Sequence, residues 1–294
     1  MSLNIFNKKY NRVIILGASG FVGSSLIKSL KISKINHIGY SSKDINLLNI
    51  KDLILLKENL KPDDTIVFIS AIAPCTSKEM YNSNISMLKN FSSILFRNIV
   101  KHIIYISSDA VYSDNNNFIR ENDKKYPDNF HGKMHVEREN IFSEICKINS
   151  ISLSIIRPTL IYGSEDTHNG YGPNQFIRSI LAGNEISLFG KGEERRDHIY
   201  IDDVIQIIQK CLVNETIGSF TAATGKVISF FDIAKIIYKY KNLSIENIIY
   251  KDRNGPMPHN GYRAFDISKL YKDFSNIYIT PIDTGIIKII KLLQ

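Results

Sequence analysis

The stretch DNFHGKMHVERE, residues 128–139, sets His131 and His135 four positions apart, so that on a helix both imidazoles lie on one face. An imidazole titrates at about 6.5 and passes a proton near neutral pH without a neighbouring charge, which suits it to acid–base work at a reacting oxygen. The same spacing offers two zinc ligands. Two ligands do not make a site, and neither an HExxH pattern nor a nearby cysteine supplies the others, so no metal is expected.

A second constellation opens the chain. The apolar run RVIIL at 12–16 ends in GASGFVG. Gly17, Gly20 and Gly23 stand where a strand turns sharply into a helix, where backbone must approach a pyrophosphate, and where helix packs on strand. The helix that starts over Ser19, Phe21 and Val22 offers unpaired N–H groups and positive potential to phosphate. A dinucleotide is the expected ligand. An acidic residue closing the second strand would bond the adenosine ribose and favour NAD. Here NHIGY runs into Ser41, Ser42 and Lys43, hydroxyls and a cation able to accept a 2′-phosphate, so the cofactor is expected to be NAD(P) with a slight preference for NADP; Asp44 is the alternative acid.

These residues need a scaffold that brings strand ends together. Residues 12–16, 65–69 (TIVFI) and 102–106 (HIIYI) are short apolar runs bounded by polar or turn residues. Between them lie helix-length segments, notably 78–100, where Met80, Ile85, Leu88, Phe91, Leu95 and Ile99 recur at helical spacing. Strands buried on both faces and alternating with helices imply an α/β fold, a doubly wound, Rossmann-like parallel sheet. Beyond Arg157 turn residues multiply, and helices at 202–213 and 229–241 are separated by longer loops. The organisation expected is a dinucleotide-binding domain over 1–160 and a smaller, mainly substrate-binding region over 161–294, with about 196–223 returning to the core.

Composition narrows the function classes. With 294 residues, 44% hydrophobic and 22% charged, the chain sits in the ordinary globular range. Its net charge of +8 is spread among isoleucine and asparagine without a basic, aromatic-laced track, so nucleic acid is not an expected partner. No apolar run approaches the roughly 18 residues of a membrane span, and MSLNIFNKKYNR has no signal-peptide core; a cytoplasmic protein is expected. Cys75, Cys146 and Cys211 are few, far apart and free of any CxxC, which argues against disulfides and structural zinc.

Taken together, GASGFVG, ISSDAVY (106–112), RPTLIYG (157–163), GKGEERRDHIYIDD (190–203) and YRAFDISKL (262–270) resemble the extended short-chain dehydrogenase/reductase family, in particular its nucleotide-sugar epimerases, dehydratases and reductases. The motifs stand in the family's order and span residues 13–270. The resemblance implies an NAD(P)-dependent enzyme acting on a nucleotide-activated sugar in surface polysaccharide synthesis, as a 4-epimerase or a keto-reductase. It implies that Ser108 bonds the substrate oxygen that gains or loses hydride and that Ala71 lies against the cofactor. Dehydratases of the family carry an Asp-Glu pair next; here Asp109 is followed by Ala110, which weakens dehydration and leaves Asp109 as a lone acid. Arg196 and Arg263 match the arginines that clamp the substrate diphosphate, a task for which the planar guanidinium fork is suited, and Asn174 and Phe176 match residues lining the same cleft.

The family's active-site helix reads YGxSKxxxE. Tyrosine exchanges the proton, and lysine lowers its pKa and holds the nicotinamide ribose. Laid over HGKMHVERE, this pattern matches Gly132 and Glu139 and puts His131 at the tyrosine and His135 at the lysine. No tyrosine in the chain is followed four residues later by lysine. His131 is therefore expected to move the hydroxyl proton and His135 to donate to the ribose. The alternative is a catalytically silent dinucleotide-binding module. Segments 78–100 and 128–148 resemble the helix pair of the family's dimeric four-helix bundle, so a homodimer is expected.

Overall fold

The computed structural model describes residues 12–114 and 118–294. The segment MSLNIFNKKYN, on which part of the expectation of no leader rests, lies outside them. In chain order the elements begin with β1 (Val13–Leu16), α1 (Phe21–Ile32), β2 (His37–Tyr40), α2 (Ile50–Asn59), β3 (Thr65–Phe68), α3 (Lys78–Ser93), β4 (His102–Ile106), α4 (Phe130–Asn149) and β5 (Ser152–Pro158). There follow β6 (Leu160–Tyr162), α5 (Pro173–Leu181), β7 (Ser187–Phe189), β8 (Arg195–Tyr200), α6 (Ile201–Asn214) and β9 (Gly218–Ala222). The chain closes with β10 (Val227–Ser229), α7 (Phe230–Tyr240), β11 (Ile249–Lys251), β12 (Tyr262–Arg263), α8 (Ser268–Asp273) and α9 (Ile282–Leu293).

Two compact units result. Unit 1 runs to Val111 and adds Asn129–Arg157 and Ile207–Ser219; unit 2 takes Tyr112–Asp128, Pro158–Gln206 and Phe220–Gln294. Compared with the expected limits, the returning segment is shorter and 112–128 joins unit 2. The latter has a local cause: Ile119 exchanges backbone hydrogen bonds with Ala264 and Asp266, a pairing far apart in sequence and invisible to periodicity.

Unit 1 is built on a sheet of order β2-β1-β3-β4-β5-β9. Every residue of β1, β3 and β4 is buried, so both faces are covered, as apolar runs without polar alternation require. Leu53 and Leu56 from α2, Leu88 and Phe91 from α3 and Phe142 from α4 pack with Phe68 and Tyr105 in one core. Each such side chain contributes about 1.5–3 kcal/mol on burial. Strand order reverses direction at β1, and ligands of such sheets bind beyond the strands' carboxyl ends at that switch point. Helix α3 stops at Ser93, before the expected 100, in a turn that leaves Asn98 at φ 64°; Leu95 and Ile99 are still buried, which is why they kept the helical rhythm. In unit 2, β8 is flanked by antiparallel β10 and by parallel β12 and β6, and β7 pairs with β11.

Candidate active site

At the end of β1 the glycine turn is tight for steric reasons. A Cβ on Gly17, which sits at φ +98°, would come within 2.8 Å of the Ser70 nitrogen, and one on Gly23 within 2.2 Å of the Gly17 carbonyl. Gly20 has open space, its nearest neighbour being that carbonyl at 3.5 Å. Helix α1 starts there with no capping side chain and no acidic residue in its first turn. Its first N–H groups and the positive end of its dipole are left to a ligand, so the turn fits a pyrophosphate. Ser19 and Gly20 are exposed; Val22 is buried and can contribute only its backbone.

The end of β2 closes back on itself. The Asp44 carboxylate accepts from the Ser41 nitrogen at 2.8 Å and from its hydroxyl at 2.6 Å. These bonds hold the Asp44 carboxyl below its usual range. Ser41 is thus committed to Asp44, and Ser42, Lys43 and Asp44 are exposed. Past β3, Ala71 is exposed on a loop clamped by buried Asn84, whose side chain bonds both the nitrogen and the carbonyl of Ile72 at 2.9 and 3.0 Å. Nothing in the local spacing of Asn84 marks it, because its partner Ile72 lies twelve residues away on a loop.

Beyond β4, Ser107 donates to Glu139 at 2.7 Å, and Glu139 forms a bidentate pair with Arg157 at 2.8 Å. Ser107 is therefore structural. The Ser108 hydroxyl, half-buried, accepts from the Ala110 nitrogen at 3.1 Å and lies 3.5 Å from Asp109. Helix α4 is capped by Asn129, which accepts from Gly132 at 2.9 Å, and this fixes where the helix presents His131.

The two histidines meet edge to face, with ring centroids 4.7 Å apart. His131 is half-buried, and its Nδ1 accepts from the Cys75 nitrogen at 3.3 Å. In the neutral ring the proton then sits on Nε2, which makes that nitrogen a hydrogen-bond donor. Taking a proton on Nε2 would first require freeing Nδ1 from Cys75. Burial lowers the His131 pKa, and the facing Asp109 carboxylate opposes the shift. His135 is only 4% exposed, its Nδ1 lies 2.6 Å from the Tyr105 hydroxyl, and burial followed by the charges of His131 and Arg138 holds it well below the usual histidine range. It is a ring packed against β4, not a side chain extended as the family's lysine would be. His102 and His198 are buried, bonding Ser154 and the Arg196 carbonyl, in keeping with structural roles.

In unit 2, Arg196 and Arg263 are direct neighbours across β8 and β12. They differ in commitment. Arg263 is 1% exposed and donates to the carbonyls of Ser113 and Tyr112 and to His259, so its donors are engaged within unit 2. Arg196 donates to buried Glu194 at 3.2 Å, and Arg253 reaches the other oxygen of the same carboxylate at 3.2 Å. Nε and Nη2 of Arg253 are buried without a partner among the described residues. Arg253 escaped the sequence reading because it lies in the loop DRNGPMPHNG, where spacing carries no register. Asn174 holds the Gly163 nitrogen and Asp166, and Phe176 packs against Tyr171 and Phe230, so both serve unit 2's own framework.

Comparison with known proteins agrees with this arrangement. The model of the NAD dependent epimerase/dehydratase family matches residues 13–220. An ADP-L-glycero-D-manno-heptose-6-epimerase of Brachyspira hyodysenteriae is 26% identical, covering 96% of this chain and 98% of that protein. Among solved structures, UDP-glucose 4-epimerase of Thermotoga maritima with UDP-glucose superposes with a TM-score of 0.83 at 18% identity, over 96% of this chain and 98% of that one. UDP-glucuronic acid 4-epimerase of Bacillus cereus, in complex with UDP-glucuronic acid and NAD, gives 0.79 at 20% identity, over 97% and 100%. With its glycine turn, six-stranded sheet and family match in agreement, the chain belongs to the NAD dependent epimerase/dehydratase family.

Proposed function

We propose that this protein is a 4-epimerase or keto-reductase of a nucleotide-activated sugar, using NAD and a histidine in place of the usual tyrosine. When bound, the nicotinamide ring accepts and returns hydride at a sugar carbon. The observation that carries the reading is the placement in unit 1 of Ser108, Asp109 and the Nε2 side of His131 at the carboxyl end of β4, on the same sheet edge as the glycine turn. Ser108 and His131 hold the substrate oxygen by hydrogen bonds, His131 acting as a neutral electrophile. Asp109 takes the hydroxyl proton on oxidation and returns it on reduction. In unit 2, Arg196 and Arg253 offer charge-assisted bonds to the diphosphate. Asp44 supports NAD over NADP, since its carboxylate suits a ribose hydroxyl and repels a phosphate.

A second reading, binding without turnover, draws on one observation: His135 is folded against Tyr105 instead of reaching outward. The experiment that separates the two titrates the protein with NAD(H), NADP(H) and UDP-, GDP-, CDP-, ADP- and dTDP-sugars, following melting temperature and then nicotinamide absorbance. Turnover of any sugar supports the enzyme; stabilisation by both ligand types with none supports the module. A homodimer through α3 and α4 and a place in surface polysaccharide synthesis belong to the same proposal, the first checked by light scattering on the eluting protein. Among the described residues no helix is long and apolar enough to cross a membrane.

A further inference from the structure

Arg138 lies seven residues after His131, on the same face of α4 as both histidines and two turns deeper than the first. It is 0% exposed. One nitrogen donates to the Ser70 carbonyl at 2.9 Å and the guanidinium also bonds the Tyr105 hydroxyl, while Nε and Nη2 lack a hydrogen bond of ordinary geometry among the described residues. The guanidinium carbon stands 5.1 Å from the centre of the Phe68 ring and 5.9 Å from that of Tyr105. A cation this deep, without a carboxylate paired to it in any contact seen here, is costly to keep for packing alone.

Tyr105, on β4 directly opposite Phe68 of β3, places its hydroxyl 2.6 Å from Nδ1 of His135. A guanidinium only donates, so the phenolic hydrogen cannot go to Arg138; the acceptor beside it is Nδ1. We infer that Tyr105 and Arg138 are positioning residues: the phenol donates to Nδ1 of His135, the buried guanidinium is the fixed cation of the site, and together they keep His135 a neutral ring protonated on Nε2. The charge that a lysine at 135 would carry is moved one turn further along α4, and a neutral N–H donor stands in its place. The groups surrounding His135 agree with this state. Arg138 on its own helix adds positive charge and His131 would oppose a proton on His135 if it took one up itself, whereas Tyr105 on β4 and Cys75 after β3 stay protonated because burial raises both. Glu139 on the next turn is committed to Arg157, and Asp109 after β4 faces His131.

The purpose of the arrangement rests on the hydride chemistry proposed above, but the position of the proton is a property of the protein alone and is read without turnover. Histidine-selective 15N NMR of the full chain, with the His135 signals assigned through their loss in His135→Gln, reports tautomer and protonation together. The wild type is expected to show His135 as the neutral Nε2–H form from pH 5.5 to 8. Tyr105→Phe, which removes one hydroxyl and keeps the ring, should let the Nδ1–H form appear. Arg138→Met should raise the His135 midpoint by about one pH unit, and Arg138→Lys should restore the low value. If Arg138→Met does not fold, Tyr105→Phe and Arg138→Lys still decide. A wild-type His135 in the Nδ1–H form, a midpoint near the ordinary histidine value, or a folded Tyr105→Phe with unchanged tautomer would each overturn the inference.

Discussion

A backbone N–H decides what the histidine at the tyrosine position can do. Because Cys75 donates to Nδ1, the neutral His131 ring presents Nε2–H, and in the proposed role the loss on removing such a donor from an oxyanion is about 10²–10³-fold in turnover. His131→Ala is expected to lose that much while retaining dinucleotide binding, measured by quenching of nicotinamide fluorescence. His131→Gln, which keeps a donor, should recover part of it; equal losses in both variants would reject the donor role. The arginines of unit 2 make a second contrast. Arg253→Ala should raise KM for the nucleotide-sugar roughly tenfold or more, the loss of a charge-assisted pair, and leave NAD affinity alone. Arg263→Met should instead lower stability, by about 1–3 kcal/mol for each buried acceptor it abandons, in urea unfolding.

Among the elements, the turn from β1 into α1 separates folding from binding within seven residues. Gly23→Ala would drive a Cβ into the Gly17 carbonyl at 2.2 Å, so a lower melting temperature and loss of NAD-induced stabilisation are expected together. Gly20→Ala meets only that carbonyl at 3.5 Å, and its methyl instead fills the space left for a pyrophosphate. An unchanged melting temperature with weakened NAD binding is the expected result for Gly20→Ala, and calorimetric titration checks it. Helix α4 shows the same division of labour along its length. Its Asn129 cap and His131 belong to the site, Glu139 ties it to β5 through Arg157, and Phe142 and Cys146 enter the core.

At the scale of the whole molecule the buried histidines set the response to acid. Burial lowers His102 to about 4 and His198 to about 3. Both rings bind protons more readily in the unfolded chain, so their contribution to stability is complete above about pH 6.5 and is lost as pH falls from there toward the folded values. Asp197, raised to about 6 by burial, has the opposite sign: its contribution is present below its ordinary value near 3.8 and is lost as pH rises through about 6. His131 and His135, also lowered by burial, add to the side of the rings, and Asp203, raised by burial, to that of Asp197, so four rings outweigh two carboxyls. Urea midpoints should therefore fall between pH 7.5 and 5, by roughly 1.4 kcal/mol per pH unit for each proton taken up in excess by the unfolded chain. His102→Gln should flatten that slope, and an unchanged slope would contradict the assignment.

Unaided, the amino-acid sequence determined the family, the alternation of strands and helices and the dinucleotide turn, because these rest on local spacing: apolar runs such as TIVFI, glycines at the first strand-to-helix turn, and two histidines one turn apart. It also showed that no tyrosine is followed four residues later by lysine. Only the tertiary structure decided which nitrogen of His131 accepts from Cys75, that Asp44 closes back on Ser41, that Arg263 bonds carbonyls while Arg253 keeps donors unpaired among the described residues, and that Arg138 is buried against Phe68 and Tyr105. Each of these depends on a partner distant in the chain or on a loop conformation. A charged side chain reads the same in sequence whether it is solvated, paired or buried; its chemistry is set by what folding places within a few ångströms of it.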